Sequence, residues 1–352
     1  MTTPKFKVLS IDGGGIRGII PCIILKYIEE NTGSPISSLF NLIAGTSTGG
    51  IISVGLTKHE ANYQNSFSAE QMLELYVKFG KDIFSNRPKD LLSWVSAKLF
   101  AKPYDAADME ALLNRYFGEA RLKDALSNVL VTTYDIEKGK PFYFSSRLAA
   151  NDPKENFKLK EIARSTSAAP TYFKPNLLKY DKETDLAFVD GGVFANNPSI
   201  LAYSEAKELW KQALVANPAL AEPDRGFDAV VTADDNDLPF YLLSLGTGFT
   251  SNAIKGEDVK NYRNKDWFEP LMTNVFMRSV AESTHYTMQH LLPPYKNGTR
   301  RYQRLDFQIP AAIAQMDDAS EKNITALVQA AEKYVSDNKA QLDELCKRLV
   351  EN

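Results

Sequence analysis

The sequence predicts an α/β fold built on a mostly parallel sheet, on three observations. Two apolar, β-branched runs at 6–11 and 39–44 flank a helical pattern over 19–30, which is a βαβ unit. Each run ends at glycines that open onto a helix, Gly13-Gly14-Gly15 after the first and Gly45-Thr46-Ser47-Thr48-Gly49 after the second. Further strand-like runs at 187–190 and 241–245 stop at glycines in the same way.

Taken in order, 6–11 alternates as a first strand should, and the helix over 19–30 carries Pro21 in its first turn, where the missing N–H has no partner to lose. Positions 33–38 are a loop before the strand at 39–44, and Ile51 to Leu56 read as the helix that follows it. Met72, Leu75, Tyr76 and Phe79 recur at helical spacing within 68–80. The stretch 83–104 is rich in Leu, Trp and Phe but broken by Pro88 and Pro103. It reads as a cap over the core, with a lid or membrane-touching surface as the alternative. Runs 128–134 and 141–144 pair through Lys138-Gly139-Lys140, 159–168 and 200–216 are helical, and the proline- and acid-rich 217–239 is a surface excursion. A helix is expected over 277–292. Ser320 then caps a long helix whose apolar face runs from Ile324 through Leu349. That helix is expected to pack on the domain, with a dimer contact as the alternative. No repeat or low-complexity segment divides the chain, so one domain over 1–352 with insertions is expected.

Composition excludes some function classes. With 41 basic and 44 acidic side chains the net charge is −3, which disfavours a nucleic-acid binder that relies on bulk electrostatics. The two cysteines, Cys22 and Cys346, sit in apolar helical patterns and read as reduced, packed thiols. No apolar run reaches membrane-spanning length, and the chain enters a strand almost at once, so no secretory signal is expected.

The first glycine cluster has two readings. Gly13-Gly14-Gly15-Ile16-Arg17-Gly18 satisfies G-x-G-x-x-G between a strand and a helix, the dinucleotide-binding pattern. Against this, Asp12 would set a carboxylate beside a pyrophosphate, and the second strand ends in Gly45-Thr46-Ser47 where an acid should hold the ribose. The alternative is a nest of backbone N–H groups at a helix N-terminus, suited to an oxyanion. Arg17 adds a positive charge, for an anionic substrate group or for a salt bridge that ties down the loop.

Strand, G-x-S-x-G, helix is the context of a nucleophile elbow, with Ser47 at its tip. Ser47 needs a base. His59 lies three helical turns beyond it, and His285 and His290 fall in a helix rather than at a strand end. Asp190, at a strand end before Gly191-Gly192, can accept the serine proton if burial raises its pKa.

Asp12-Gly-Gly-Gly-Ile-Arg-Gly18, Gly45-Thr-Ser-Thr-Gly49 and Asp190-Gly-Gly192, in this order, resemble the three motifs of the patatin-like phospholipases of bacterial type. Ser167-Ala-Ala-Pro-Thr-Tyr-Phe-Lys-Pro175, Asn196-Asn197-Pro198 and Leu245-Gly-Thr-Gly248 agree, so the resemblance covers about residues 6 to 250. It implies a three-layer α/β/α fold and a Ser47–Asp190 dyad without histidine. It also implies an oxyanion hole at Gly13, Gly14 and Gly15 supported by Arg17, and cleavage of glycerolipid acyl esters.

The expected function is a lipid acyl hydrolase of phospholipase A or lysophospholipase type, without cofactor or metal. It would be cytoplasmic and act transiently at a membrane surface on phospholipid. The alternatives are an effector phospholipase switched on by a small nucleotide activator, and a nucleotide-binding oxidoreductase using the 13–18 loop. An oligomer is left open, and no nucleic-acid partner is expected.

Overall fold

The computed structural model describes residues 6–59, 67–84, 106–180, 185–217, 240–250, 257, 260, 277–295 and 297–351. Its strands are β1 (Phe6–Ile11), β2 (Leu42–Thr46), β3 (Asn128–Asp135), β4 (Lys140–Ser145), β5 (Asn176–Lys179), β6 (Asp185–Asp190), β7 (Phe240–Leu245) and β8 (Tyr302–Leu305). Its helices are α1 (Ile19–Thr32), α2 (Ile36–Leu39), α3 (Thr48–Thr57), α4 (Ala69–Phe84), α5 (Ala107–Phe117), α6 (Ser146–Asn151), α7 (Leu159–Thr166), α8 (Gly192–Ala195), α9 (Ser199–Ala216), α10 (Arg278–Leu291), α11 (Glu321–Asp337) and α12 (Lys339–Val350).

The eight strands form one sheet in the order β5-β6-β3-β2-β1-β7-β8, with β4 also paired to β3. The run β3-β2-β1-β7-β8 is parallel, whereas β4, β5 and β6 join by antiparallel pairing. Side chains alternate across the strands and divide the core in two. Leu9, Ile11, Ile43, Val129, Val131 and Leu243 pack on the side of α1, α3, α4 and α11. Val8, Leu42, Ala44, Leu130 and Leu242 face the other way, onto Ala202, Trp210 and Leu214 of α9 and Met288 of α10. The result is the expected three-layer α/β/α arrangement. Burial on both faces explains why these strands read as continuous apolar runs.

Parallel register sets the level of the functional loops. Ile11 pairs with Gly45 on one side and Leu245 on the other. The glycine loop after β1, the elbow after β2 and the turn after β7 therefore leave the sheet side by side at its carboxyl end.

Two differences from expectation alter how elements are divided. The strand expected at 39–44 runs from Leu42 to Thr46, because Leu39 belongs to the short helix α2 and pairing with β1 begins at Leu42. The long C-terminal helix is two, α11 and α12. Asn338 leaves helical geometry at φ −109°, ψ 19°, and its side-chain amide donates to Tyr334 O at 2.8 Å. A side chain that bonds the backbone in this way competes with helix continuation. Ser320 is the N-cap, its hydroxyl accepting from the Asn323 N–H. The expected cap or lid at 83–104 beyond position 84, and the excursion at 217–239 beyond position 217, lie outside the described residues.

The stretch after residue 250, which carried no resemblance, is built into the sheet. Strand β8 pairs in parallel with β7, and α11 and α12 pack on α1. Arg304 of β8 reaches Asp12 at the end of β1, Nη2 to Oδ2 at 2.7 Å, and also bonds Asp306 Oδ2 at 2.8 Å and Ser244 Oγ at 2.8 Å. Asp12 is buried and the Arg304 side chain is 9% exposed, and removing one partner of such a cluster leaves uncompensated charge. Arg304→Met should cost about 3–5 kcal/mol of stability in urea unfolding at neutral pH.

Candidate active site

Ser47 follows the last residue of β2 and precedes the first residue of α3. Its backbone is strained, at φ 54° and ψ −121°. A Cβ on Gly45 would come within 2.1 Å of Gly49 O, and one on Gly49 within 2.2 Å of Ile11 O. Only glycines at both flanks allow so sharp a turn. The strained residue is pinned on either side. Its N–H donates to Thr166 Oγ1 at 2.8 Å, Thr166 donates onward to Thr132 O at 2.7 Å, and Ser47 O accepts from the Ile51 N–H at 3.0 Å.

Asp190 meets Ser47 because of a shared strand edge. Thr132 of β3 pairs with Thr46 of β2 and Tyr143 of β4, while the next residue, Thr133, pairs with Phe142 of β4 and Asp190 of β6. A strand has two edges, and β4 occupies one along both positions. Strand β2 and strand β6 therefore share the other edge end to end, running toward each other and stopping at neighbouring residues. Ser47 and Asp190 are the residues at that meeting point.

Asp190 is only 5% exposed. Burial pushes its carboxyl up from 3.8 to about 6, opposed by hydrogen bonds from the Ser47 side chain and the Gly192 N–H. The latter measures 2.7 Å. Its own N–H donates to Ala168 O at 3.0 Å, inside the Ser-Ala-Ala-Pro stretch.

The glycine loop lies against the serine. A Cβ on Gly13 would sit 3.2 Å from Ser47 Cβ and 2.6 Å from Asn196 Oδ1. On Gly14 it would strike Thr247 Oγ1 at 2.2 Å, and on Gly15, at φ 59°, Met316 O at 2.2 Å. The chain's own atoms thus account for all three glycines, with no need for a pyrophosphate. The Gly13 N–H already donates to Asn196 O at 3.0 Å, so it departs from the expected oxyanion role. The N–H groups of Gly14 and Gly15 have no hydrogen-bond partner among the described residues. Arg17 is half-buried and donates to two backbone carbonyls, Gly14 O at 3.4 Å and Gly248 O at 3.2 Å. Gly248 in turn donates to Asp306 Oδ1 at 3.0 Å, linking Arg17 to the Arg304 cluster.

The histidines are elsewhere. His285 Nδ1 bonds Tyr302 Oη at 3.0 Å, His290 is exposed and bonds Tyr286 O at 2.8 Å, and His59 lies beyond the far end of α3.

A family model described as patatin-like phospholipase matches residues 9–203, which include both Ser47 and Asp190. The chain belongs to the patatin-like phospholipase family. Patatin-08 of Solanum tuberosum is 31% identical over 97% of this chain and 88% of its own length. Patatin-like protein 1 of Arabidopsis thaliana is 29% identical over 96% and 83%. The solved structure of VipD from Legionella pneumophila matches 94% of this chain and 67% of its own at a TM-score of 0.39 and 12% identity. The patatin relatives extend through the C-terminal third, so likeness to the family is wider than the motifs up to residue 250 suggested. Membership implies a lipid acyl hydrolase. No helix among the described residues is long and apolar enough to cross a membrane.

Three residues that position this patatin-like site carried no assigned role in the sequence: Thr166, Asn196 and Arg304. Thr166 directly precedes the Ser-Ala-Ala-Pro motif and Asn196 lies in Asn-Asn-Pro, so motif matching pointed near both. Nothing local marked Arg304.

The buried Asp190 makes a stability prediction. Because its folded pKa is raised, its protonated form favours the fold below about pH 4, and that contribution is lost as pH rises through about 6. At pH 8 the ionised group therefore costs about 3 kcal/mol. Asp190→Asn should raise the unfolding free energy by up to that amount at pH 8 and change it little at pH 3.5.

Proposed function

We propose that this protein hydrolyses fatty-acyl esters of glycerolipids as a phospholipase A or lysophospholipase, through a Ser47–Asp190 dyad and an acyl-enzyme. The observation that carries the proposal is the pairing of a strained, pinned serine with a buried carboxylate whose pKa is raised to about 6. At pH 7 such a group is mostly ionised yet basic enough to take a proton. Ser47 Oγ attacks the ester carbonyl as Asp190 accepts its proton. The oxyanion forms against the Gly14 and Gly15 N–H groups, and the leaving alcohol takes the proton from Asp190. Water then attacks the acyl carbon, gives a proton to Asp190, and Ser47 leaves by recovering it.

The roles assigned to the loop follow from its bonding. Arg17 acts as a brace, since its donors hold the carbonyls of Gly14 and Gly248 and keep the nest open. The resemblance and family membership support the substrate class. The packing of Gly13 to Gly15 against Asn196, Thr247 and Met316 counts against an oxidoreductase using that loop.

Ser47→Ala and Asp190→Ala should each lower fatty-acid release from mixed phospholipids by at least about 10³-fold, while His285→Ala and His290→Ala keep most of it. The kcat/KM of the unsubstituted protein should fall about tenfold per pH unit below 6 and level off above it. Product mass spectrometry across this series checks both statements.

A further inference from the structure

Helix α4 lies across both halves of the site on a single stripe. Met72, Tyr76 and Gly80 recur at every fourth position, so they share one face of the helix. Met72 packs so closely on α3 that a Cβ on Gly55 would come within 2.3 Å of its Sδ. At the other end, a Cβ on Gly80 would meet Ile16 Cδ1, in the turn that closes the glycine loop, at 2.6 Å. Tyr76 stands between these contacts and is buried. Its ring and the Thr48 hydroxyl fill the space beside Gly18, where a Cβ would lie 2.4 Å from Thr48 Oγ1 and 3.0 Å from Tyr76 Cζ. The last glycine of the G-x-G-x-x-G pattern, to which the mechanism gives no role, is required by this contact.

Tyr76 and Thr48 are bonded twice. Thr48 Oγ1 donates to Tyr76 Oη at 2.5 Å, and Tyr76 Oη donates to Thr48 O at 3.2 Å. Each hydroxyl hydrogen has its acceptor on the other residue, so removing either hydroxyl leaves a buried polar group unpaired. Thr48 is the residue after the nucleophile and the first of α3. Its N–H has no hydrogen-bond partner among the described residues, whereas the Ser47 N–H is engaged by Thr166. At a strand-to-helix elbow, the N–H of the residue after the nucleophile is placed to receive the oxyanion.

We propose that Tyr76 is a positioning residue for the nucleophile elbow, clamping Thr48 so that its N–H joins those of Gly14 and Gly15 around the oxyanion. This rests on the Ser47 nucleophile proposed above. The strained backbone of Ser47 persists only if its surroundings hold it. Thr166 holds the Ser47 N–H on one side, and Tyr76 holds the carbonyl and hydroxyl of the next residue on the other. Because the same face of α4 also meets Ile16, one helix sets the separation between Thr48 and the glycine loop. Tyr76 acts through Thr48 and takes no part in proton transfer.

With p-nitrophenyl butyrate as the probe, kcat and KM are measured for Tyr76→Phe, Thr48→Val, the double variant and Thr48→Ser, each checked for folding by circular dichroism. Tyr76→Phe should lower kcat about tenfold, leave KM within about twofold and leave the midpoint of kcat/KM near pH 6, where Asp190 sets it. Thr48→Val should lose as much, and the double variant no more than either single, because both remove the same pair of bonds. Thr48→Ser, which retains a hydroxyl, should recover most of what Thr48→Val loses. If Tyr76→Phe yields no folded protein, the contrast between Thr48→Val and Thr48→Ser decides. An unchanged kcat in folded Tyr76→Phe or Thr48→Val, a rise in KM alone, losses that multiply in the double variant, or no recovery in Thr48→Ser would overturn the role of Tyr76 and leave the dyad standing. If Ser47→Ala kept its esterase activity, the nucleophile itself would be wrong, and this role with it.

Discussion

The site depends on one edge of one strand. Strand β3 is flanked by β4 along one side, and the opposite edge is divided between β2 up to Thr132 and β6 from Thr133 onward. A parallel strand and an antiparallel strand meet there head to head, so both deliver their last residues to the same point. Ser47 and Asp190 are 143 positions apart in the chain, yet strand register alone places them together. Hydroxyls of Thr46 and Thr132, 2.7 Å apart, join the strands at the junction, and Thr46 also donates to Ala195 O at 2.7 Å. These bonds satisfy polar groups where the ladder changes partner.

Burial pushes two carboxylates near this junction up to about 6, and they differ in their partners. Asp12 is held by a forked pair of bonds from Arg304, at 2.7 and 3.3 Å, directly before the glycine loop. Asp190 has hydrogen bonds from Ser47 and Gly192 and no compensating cation among the causes of its shift. Desolvation outweighs the attraction of Arg304 at Asp12 and acts without a cation at Asp190, so what sets Asp190 apart is the Ser47 side chain bonded to it. The same burial that destabilises the fold at Asp190 leaves its carboxyl more basic, a local exchange of stability for reactivity of the kind expected at functional sites.

Much of this was legible in the sequence because it rests on local rules. Glycines at 45 and 49 around a serine announce a turn that no Cβ could enter, and the alternating apolar runs announce buried strands. The break at Asn338 was not legible, because the apolar face of the helix continues in phase across it. Nor was the part played by β8, since Arg304 acts on a residue 292 positions earlier through a strand of four residues. The Gly13 nest was read as three donors where the structure leaves two, and the difference lies in a backbone bond to Asn196 that no pattern encodes.

The central claim is that Ser47 is activated by Asp190 and by no histidine. Rates of covalent labelling by a long-chain fluorophosphonate, with the adduct located by peptide mass spectrometry, test it most directly. A single adduct on Ser47 is expected, formed at a rate that is half-maximal near pH 6, strongly slowed in Asp190→Asn and unchanged in His285→Ala. Labelling at another residue, or a rate that survives Asp190→Asn and is lost with His285, would contradict it.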